Sequence, residues 1–199
     1  MKNEICFIKK PDCVSFDMIH EVLWGAHEST RAKGMQFSTA EMTGEELEEY
    51  IKTHNATCYV AMDGDKVVGT LSCYLDYTNR GPTKGFFVKE VLAGVLPEYK
   101  GQHIYSQLFE LAIKYAKENE AKGIIVATFA GNKKMQQIKK RQGYIFTRHF
   151  IKNGHFSVCG YLCFDALPHS KMYYKLCFLK EKAKSYSKWC MIKTKNLFR

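Results

Sequence analysis

The sequence predicts a mixed α/β domain built on one sheet flanked by helices. Three observations carry this: two β-rich segments around a turn composition over residues 57–77, a strand-helix-strand succession over residues 86–130, and helical periodicity before and after them.

A short strand opens the chain, followed by a helix in which Met18, Ile19, Val22, Leu23 and Ala26 recur at helical spacing, with Ser15 as N-cap and an end near Gly34. Thr43 followed by Glu46 fits a capping box, and Leu47, Tyr50 and Ile51 give the second helix its apolar side. The period then falls to two: residues 57–62 and 66–77 flank Asp63-Gly64-Asp65, the composition of a hairpin turn. Residues 86–96 are apolar except for Lys89 and Glu90, which suits a central strand, and Pro97 closes it. Ile104, Leu108, Leu111, Ala112 and Tyr115 mark a third helix running to Gly123, and residues 124–130 read as a buried strand. Met135 and Ile138 place a short basic helix before Gly143, and residues 144–150 and 155–164 read as a final strand pair.

At 199 residues and 46% hydrophobic content, one well-buried core is expected, in a domain over residues 1–168 with an extension over 169–199. The first twelve residues hold no continuous apolar run, and the longest one, residues 124–130, is far short of the ~20 that span a bilayer; a cytoplasmic protein is expected. Eight scattered cysteines form no CxxC pair and no zinc spacing, so they read as buried thiols in a reducing compartment, without a metal.

The net charge of +10 is unevenly placed. Residues 1–132 carry 14 Lys/Arg against 18 Asp/Glu, residues 133–152 carry 7 against none, and residues 153–199 carry 9 against 2. A uniformly basic nucleic-acid binder would not have an acidic first two-thirds, so nucleic acid is not an expected partner.

The informative segment is Val95-Leu96-Pro97-Glu98-Tyr99-Lys100-Gly101-Gln102-His103-Ile104-Tyr105-Ser106. An apolar strand breaks at Pro97 into a short basic, glycine-containing turn that starts a helix. Unused backbone N–H groups and the positive end of a helix dipole converge there, an anion site suited to a pyrophosphate. An ordinary strand-to-helix connection has the same local pattern.

The wider pattern is Val-x-Pro-Glu-Tyr-Lys-Gly opening a helix, then a strand, Asn132, and Gly143-Tyr144 after a short helix. It resembles the GNAT N-acetyltransferase superfamily over residues 15–164 in element order. The resemblance implies a central mixed, mostly antiparallel sheet flanked by helices, with acetyl-CoA as cosubstrate and an amine as acceptor. It places the pyrophosphate in the turn and the pantetheine arm between strands 86–96 and 124–130. Carried over by residue, the cofactor loop is Lys100, Gly101, Gln102, His103, Ile104, Tyr105 and Ser106. Strand backbone at Leu92, Ala93, Gly94 and Val95 meets the pantetheine amides, and Asn132 contacts the arm or simply caps the following helix.

The sequence departs from the family at three points. Lys100 stands where Arg or Gln is usual, and His103 and Tyr105 stand where small residues are usual, so each must keep φ negative or accept strain. Ile138 and Lys139 occupy the places where a tyrosine commonly serves as general acid. The basic residues Lys133, Lys134, Lys139, Lys140 and Arg141 read either as a solvated helix face or as an attractor for phosphates.

Glu90 is the only acid of the central strand. A carboxylate inside Phe86, Phe87, Val88, Val91 and Leu92 is costly unless it faces a cleft or has a partner, which makes it the candidate general base or half of an ion pair. Two function classes stay open: an acetyl-CoA-dependent N-acyltransferase, and a weakened CoA-binding or basic interaction module on the same fold. In the extension, Met172, Leu176, Leu179, Ala183 and Tyr186 recur at helical spacing among nine Lys/Arg. Such a helix docks on its own domain or on a second subunit in a homodimer, or makes peripheral contact with an anionic membrane, where Trp189 and Phe198 would suit the interface.

Overall fold

The computed structural model describes residues 4–34, 39–152 and 154–197. The chain divides into two units, Met1–Asp76 with Val88–Ala121, and Tyr77–Phe87 with Lys122–Arg199.

In the first unit the strand order is β1 (Cys6–Lys9), β2 (Thr57–Asp63), β3 (Lys66–Thr78) and β4 (Gly85–Val95), the last entering this unit at Val88. β1 and β3 both pair antiparallel with β2, and the β2–β3 turn is closed by Gly64 at φ +59°. Helix α1 (Phe16–Arg31) starts at Ser15, whose Oγ accepts from the Met18 N–H at 3.2 Å. Helix α2 (Gly44–Thr53) starts with a complete capping box. Thr43 Oγ1 accepts from the Glu46 N–H, and Glu46 Oε2 accepts from the Thr43 N–H at 2.8 Å.

The apolar stripes of these helices and sheet residues close one core: Val14, Ile19, Val22, Leu23, Leu47, Val60, Val67 and Leu92 are all buried. Each buried Leu, Ile or Val is worth about 1.5–3 kcal/mol of transfer. β4 approaches α1 so closely that a Cβ on Gly94 would lie 2.9 Å from the Ala26 Cβ. Helix α3 (Ile104–Glu118) buries Ile104, Leu108, Ala112 and Ala116. It stops short of the expected Gly123 because the Asn119 side-chain amide donates to the Tyr115 carbonyl at 2.8 Å and Glu120 turns to φ +52°.

In the second unit the order is β5 (Gly123–Phe129), β7 (His155–Cys163), β6 (Ile145–Lys152), with both pairings antiparallel. Phe87, Ile125, Cys159 and Tyr161 form its core, the Phe87 and Tyr161 rings meeting edge to face at 5.7 Å. Helix α4 (Lys133–Arg141) precedes β6. Its basic run is not uniformly solvated: Lys139 is fully buried with its Nζ 4.7 Å from the centre of the Tyr144 ring.

The extension is helical over Lys171–Leu197, as α5. It docks on its own unit: the His149 Nδ1 and Ser185 Oγ are 2.5 Å apart, and Tyr186 and Trp189 meet the Phe156 ring at 4.4 and 5.9 Å. Phe198 lies outside the described residues. The cysteines depart from the expectation of burial. Cys58, Cys73 and Cys159 are buried, whereas Cys6, Cys13 and Cys190 are exposed, and no disulfide joins any described pair.

Candidate active site

The turn after β4 is built by three anchors. The Leu96 N–H donates to the Val68 carbonyl at 3.0 Å, ending the strand on β3. Residues Pro97–Tyr99 then form a single 3-10 turn, with the Tyr99 N–H bonded to the Leu96 carbonyl at 3.0 Å. The Tyr99 hydroxyl donates to Asp63 Oδ2 at 2.8 Å, and Lys66 pairs with Glu98 at 3.1 Å, so the β2–β3 hairpin holds the turn from below. Lys66 and Glu98 are each half exposed and their pairing is screened, worth little more than positioning.

Gly101, at φ +89°, and His103, at φ +60°, then swing the backbone into α3. The sequence left two outcomes for His103, and the structure takes the strained one: it occupies the left-handed region that glycine enters without cost. α1, α2 and α4 each carry a side-chain N-cap, from Ser15, Thr43 and Asn132; α3 has none. Its first intrahelical bond at this end runs from the Gln107 N–H to the His103 carbonyl at 3.1 Å. The N–H groups of Ile104 and Ser106, in the first turn, therefore have no intrahelical acceptor and point out of the positive end of the helix dipole. Lys100 supplies a cation at the start of the same turn, its Nζ donating to the Ala26 carbonyl of α1 at 3.3 Å. An anion is the chemistry this arrangement accepts.

Tyr105 divides its two ends. Its backbone lies in the first turn of α3, while its hydroxyl turns inward and donates to Glu90 Oε1 at 2.5 Å. Glu90 is 8% exposed, so the apolar strand does hold a buried, hydrogen-bonded carboxylate. Burial and the neighbouring Glu90 charge push the Cys73 thiol up to about 12.

Within β4, Leu92 sits at φ +48° although it is neither glycine nor at a strand end. Its side chain is in the core, which over-determines the strained backbone. The next carbonyl, that of Ala93, accepts from His27 Nε2 at 3.0 Å. Burial holds the His27 pKa below its ordinary value, with Lys100 and Arg31 adding to the depression and the Ala93 bond opposing it. A carbonyl can only accept, so Nε2 carries the proton of a neutral ring. Gly94 is buried, and Ala93 and Val95 are half-buried.

Glu90, Leu92, Ala93, Gly94, Val95, Lys100, Gly101, Gln102, His103, Ile104, Tyr105 and Ser106 thus belong to one unit, on one strand-turn-helix segment. Asn132 belongs to the other, where its Oδ1 accepts from the Met135 N–H at 3.1 Å as the cap of α4. His27 and the Asp63–Tyr99 brace were not singled out from sequence. Their partners lie 66 and 36 residues away, and no local pattern marks them. Among the described residues, no group of three or more His, Cys, Asp or Glu is placed to hold a metal ion.

Residues 16–144 match the model of the acetyltransferase (GNAT) family. No curated protein matches the chain. Among solved structures, a putative acetyltransferase from Acinetobacter baylyi ADP1 is 17% identical with a TM-score of 0.62, over 85% of this chain and 98% of its own. Arabidopsis thaliana NAA60 in complex with acetyl-CoA is 16% identical with a TM-score of 0.61, over 82% of this chain and all of its own. A GNAT family acetyltransferase from Brucella melitensis in complex with acetyl-CoA is 16% identical with a TM-score of 0.56, over 85% and 99%. At these identities the likeness is one of fold.

Proposed function

This chain belongs to the GNAT acetyltransferase family, and from that membership we propose that it transfers an acetyl group from acetyl-CoA to an amine. The observation that carries the reading is the Gly101–His103 turn opening a helix without a side-chain cap, directly after the kinked strand β4. The N–H groups of Ile104 and Ser106, with Lys100 at the start of the same turn, bind the pyrophosphate. Lys100 acts as a point charge rather than as the bidentate fork an arginine would give. Gln102 and His103 border the same turn, and the β4 backbone from Leu92 to Val95 takes the amides of the pantetheine arm.

Transfer joins the amine nitrogen to the thioester carbonyl carbon as the carbon–sulfur bond breaks, leaving CoA as thiolate, which takes up the proton the nitrogen sheds on becoming an amide. An ammonium acceptor must first lose a proton, and Glu90, directly or through water, is the group that takes it. Tyr105 holds that carboxylate in one orientation. A backbone N–H of β4 stabilises the developing oxyanion. With no tyrosine at residues 138 and 139, the thiolate leaves without a dedicated acid, a shortfall of one or two pKa units being worth only ~1.4–2.7 kcal/mol. The buried thiols Cys58 and Cys73 fit a reducing compartment such as the cytoplasm.

The Tyr105–Glu90 bond also favours a second reading, in which the carboxylate is a strut and the protein binds CoA without turnover. A panel of primary and secondary amines, assayed by thiol release from acetyl-CoA, separates the two. Saturable release with at least one amine supports transfer. Binding without release from any amine supports the strut.

A further inference from the structure

Helix α5 carries an apolar face that its own unit does not cover. The inner side of the helix is accounted for: Tyr174 and Ser185 are buried, and Phe178 and Trp189 meet the rings of His149 and Phe156. Roughly opposite them, at spacings of four, three and four, stand Met172, Leu176, Leu179 and Ala183. Met172, Leu176 and Leu179 are 62%, 59% and 48% exposed. At 100° per residue, Lys175 and Lys182 edge this stripe on one side and Lys180 and Lys184 edge it on the other, all exposed. Glu181 is the sole acid of the helix, and it is paired with Lys184 at 3.2 Å.

The geometry points to this outer face as a docking surface for an anionic lipid bilayer, on which α5 lies in the plane of the interface. Leucine and methionine side chains enter the headgroup boundary, and the lysines on both flanks reach outward to lipid phosphates along their own aliphatic stems. Charge decides between the occupants. A second copy of the chain would set the same lysine rows against each other with one paired glutamate to answer them, which is repulsive. An anionic membrane surface answers both flanks at once. Among the described residues no helix is long and apolar enough to cross a membrane, so α5 lies on the bilayer rather than through it. At 27 residues it is about 40 Å long, and the stripe occupies its first half.

The test is co-sedimentation of the full chain with vesicles of phosphatidylcholine alone and of phosphatidylcholine mixed with phosphatidylglycerol. Binding to the mixed vesicles, weakened by salt and near absent on phosphatidylcholine alone, is expected. Leu176→Glu with Leu179→Glu should abolish it with the melting temperature unchanged, since neither side chain is in a core. Lys180→Gln and Lys184→Gln together should lower it about 25-fold, about 5-fold for each lysine removed. Three results would overturn the proposal: no binding to the mixed vesicles, equal binding to both vesicle types, or undiminished binding by the leucine variant. A dimer seen by light scattering and lost in the leucine variant would assign the face to a second copy instead.

Discussion

The Tyr105 hydroxyl donates to Glu90 Oε1 across 2.5 Å, tying the first turn of α3 to the middle of β4. The turn proposed for the pyrophosphate and the strand that carries the acid are thereby one mechanical piece. Glu90→Gln should lower kcat by ~10²-fold or more while leaving acetyl-CoA affinity nearly unchanged. Tyr105→Phe should lower kcat less, and cost about 1–3 kcal/mol of stability by leaving a buried carboxylate short of a donor. Steady-state kinetics with denaturant unfolding checks both; a Gln variant with undiminished kcat removes Glu90 from the chemistry.

His103 holds the left-handed conformation at φ +60° without being glycine. His103→Gly should therefore raise stability by about 1 kcal/mol, the relief of left-handed strain less the entropy glycine adds to the unfolded chain. His103→Val should lower it, because a β-branched side chain is worse placed there. Urea midpoints of the two variants should move in opposite directions, and a shift of both the same way would contradict the strain.

The His27 ring is held below its ordinary pKa of 6.5 by burial. The unfolded chain then takes up a proton that the native state refuses, so stability is full above 6.5 and falls as pH drops toward the lowered native value. His149, lowered by burial and by Lys182 and Lys133, acts with the same sign. His27→Gln keeps a donor for the Ala93 carbonyl and removes one of the two slopes. Urea midpoints across the acid limb should flatten in this variant, and an unchanged slope would contradict a buried neutral His27.

Thiol reactivity should follow burial. Cys6 and Cys13 are exposed and should react with an aromatic disulfide reagent in the native state. Cys73, with its thiol pushed up to about 12, and buried Cys58 should react only after unfolding. Mass spectrometry of the labelled peptides reads this, and early modification of Cys73 would contradict its placement beside Glu90.

Much of the fold was legible because local chemistry agreed with it. Ser15, and Thr43 with Glu46, cap the helices they were expected to cap, and Asp63-Gly64-Asp65 turns the hairpin. Pro97 ends β4. What escaped the sequence was set by tertiary partners. α3 ends at Glu118 because Asn119 caps it, ahead of the Gly123 stop that the sequence predicts. Lys139 reads from sequence as one more solvated or phosphate-attracting lysine, and its burial against Tyr144 is visible only once the two meet. The turn itself was readable from Val95 to Ser106. That Tyr105 would point at Glu90 rather than at the turn was not, since a helix position fixes the backbone N–H but not what the side chain finds.

Acetyl-CoA titration of the full chain by calorimetry, with thermal unfolding of the same samples, tests the central claim most directly. Saturable binding is expected, with a stabilisation of about 2.7 kcal/mol once ligand stands at 100 times Kd. Absence of both heat and thermal shift at millimolar acetyl-CoA would contradict the assignment of the Gly101–His103 turn as its pyrophosphate site.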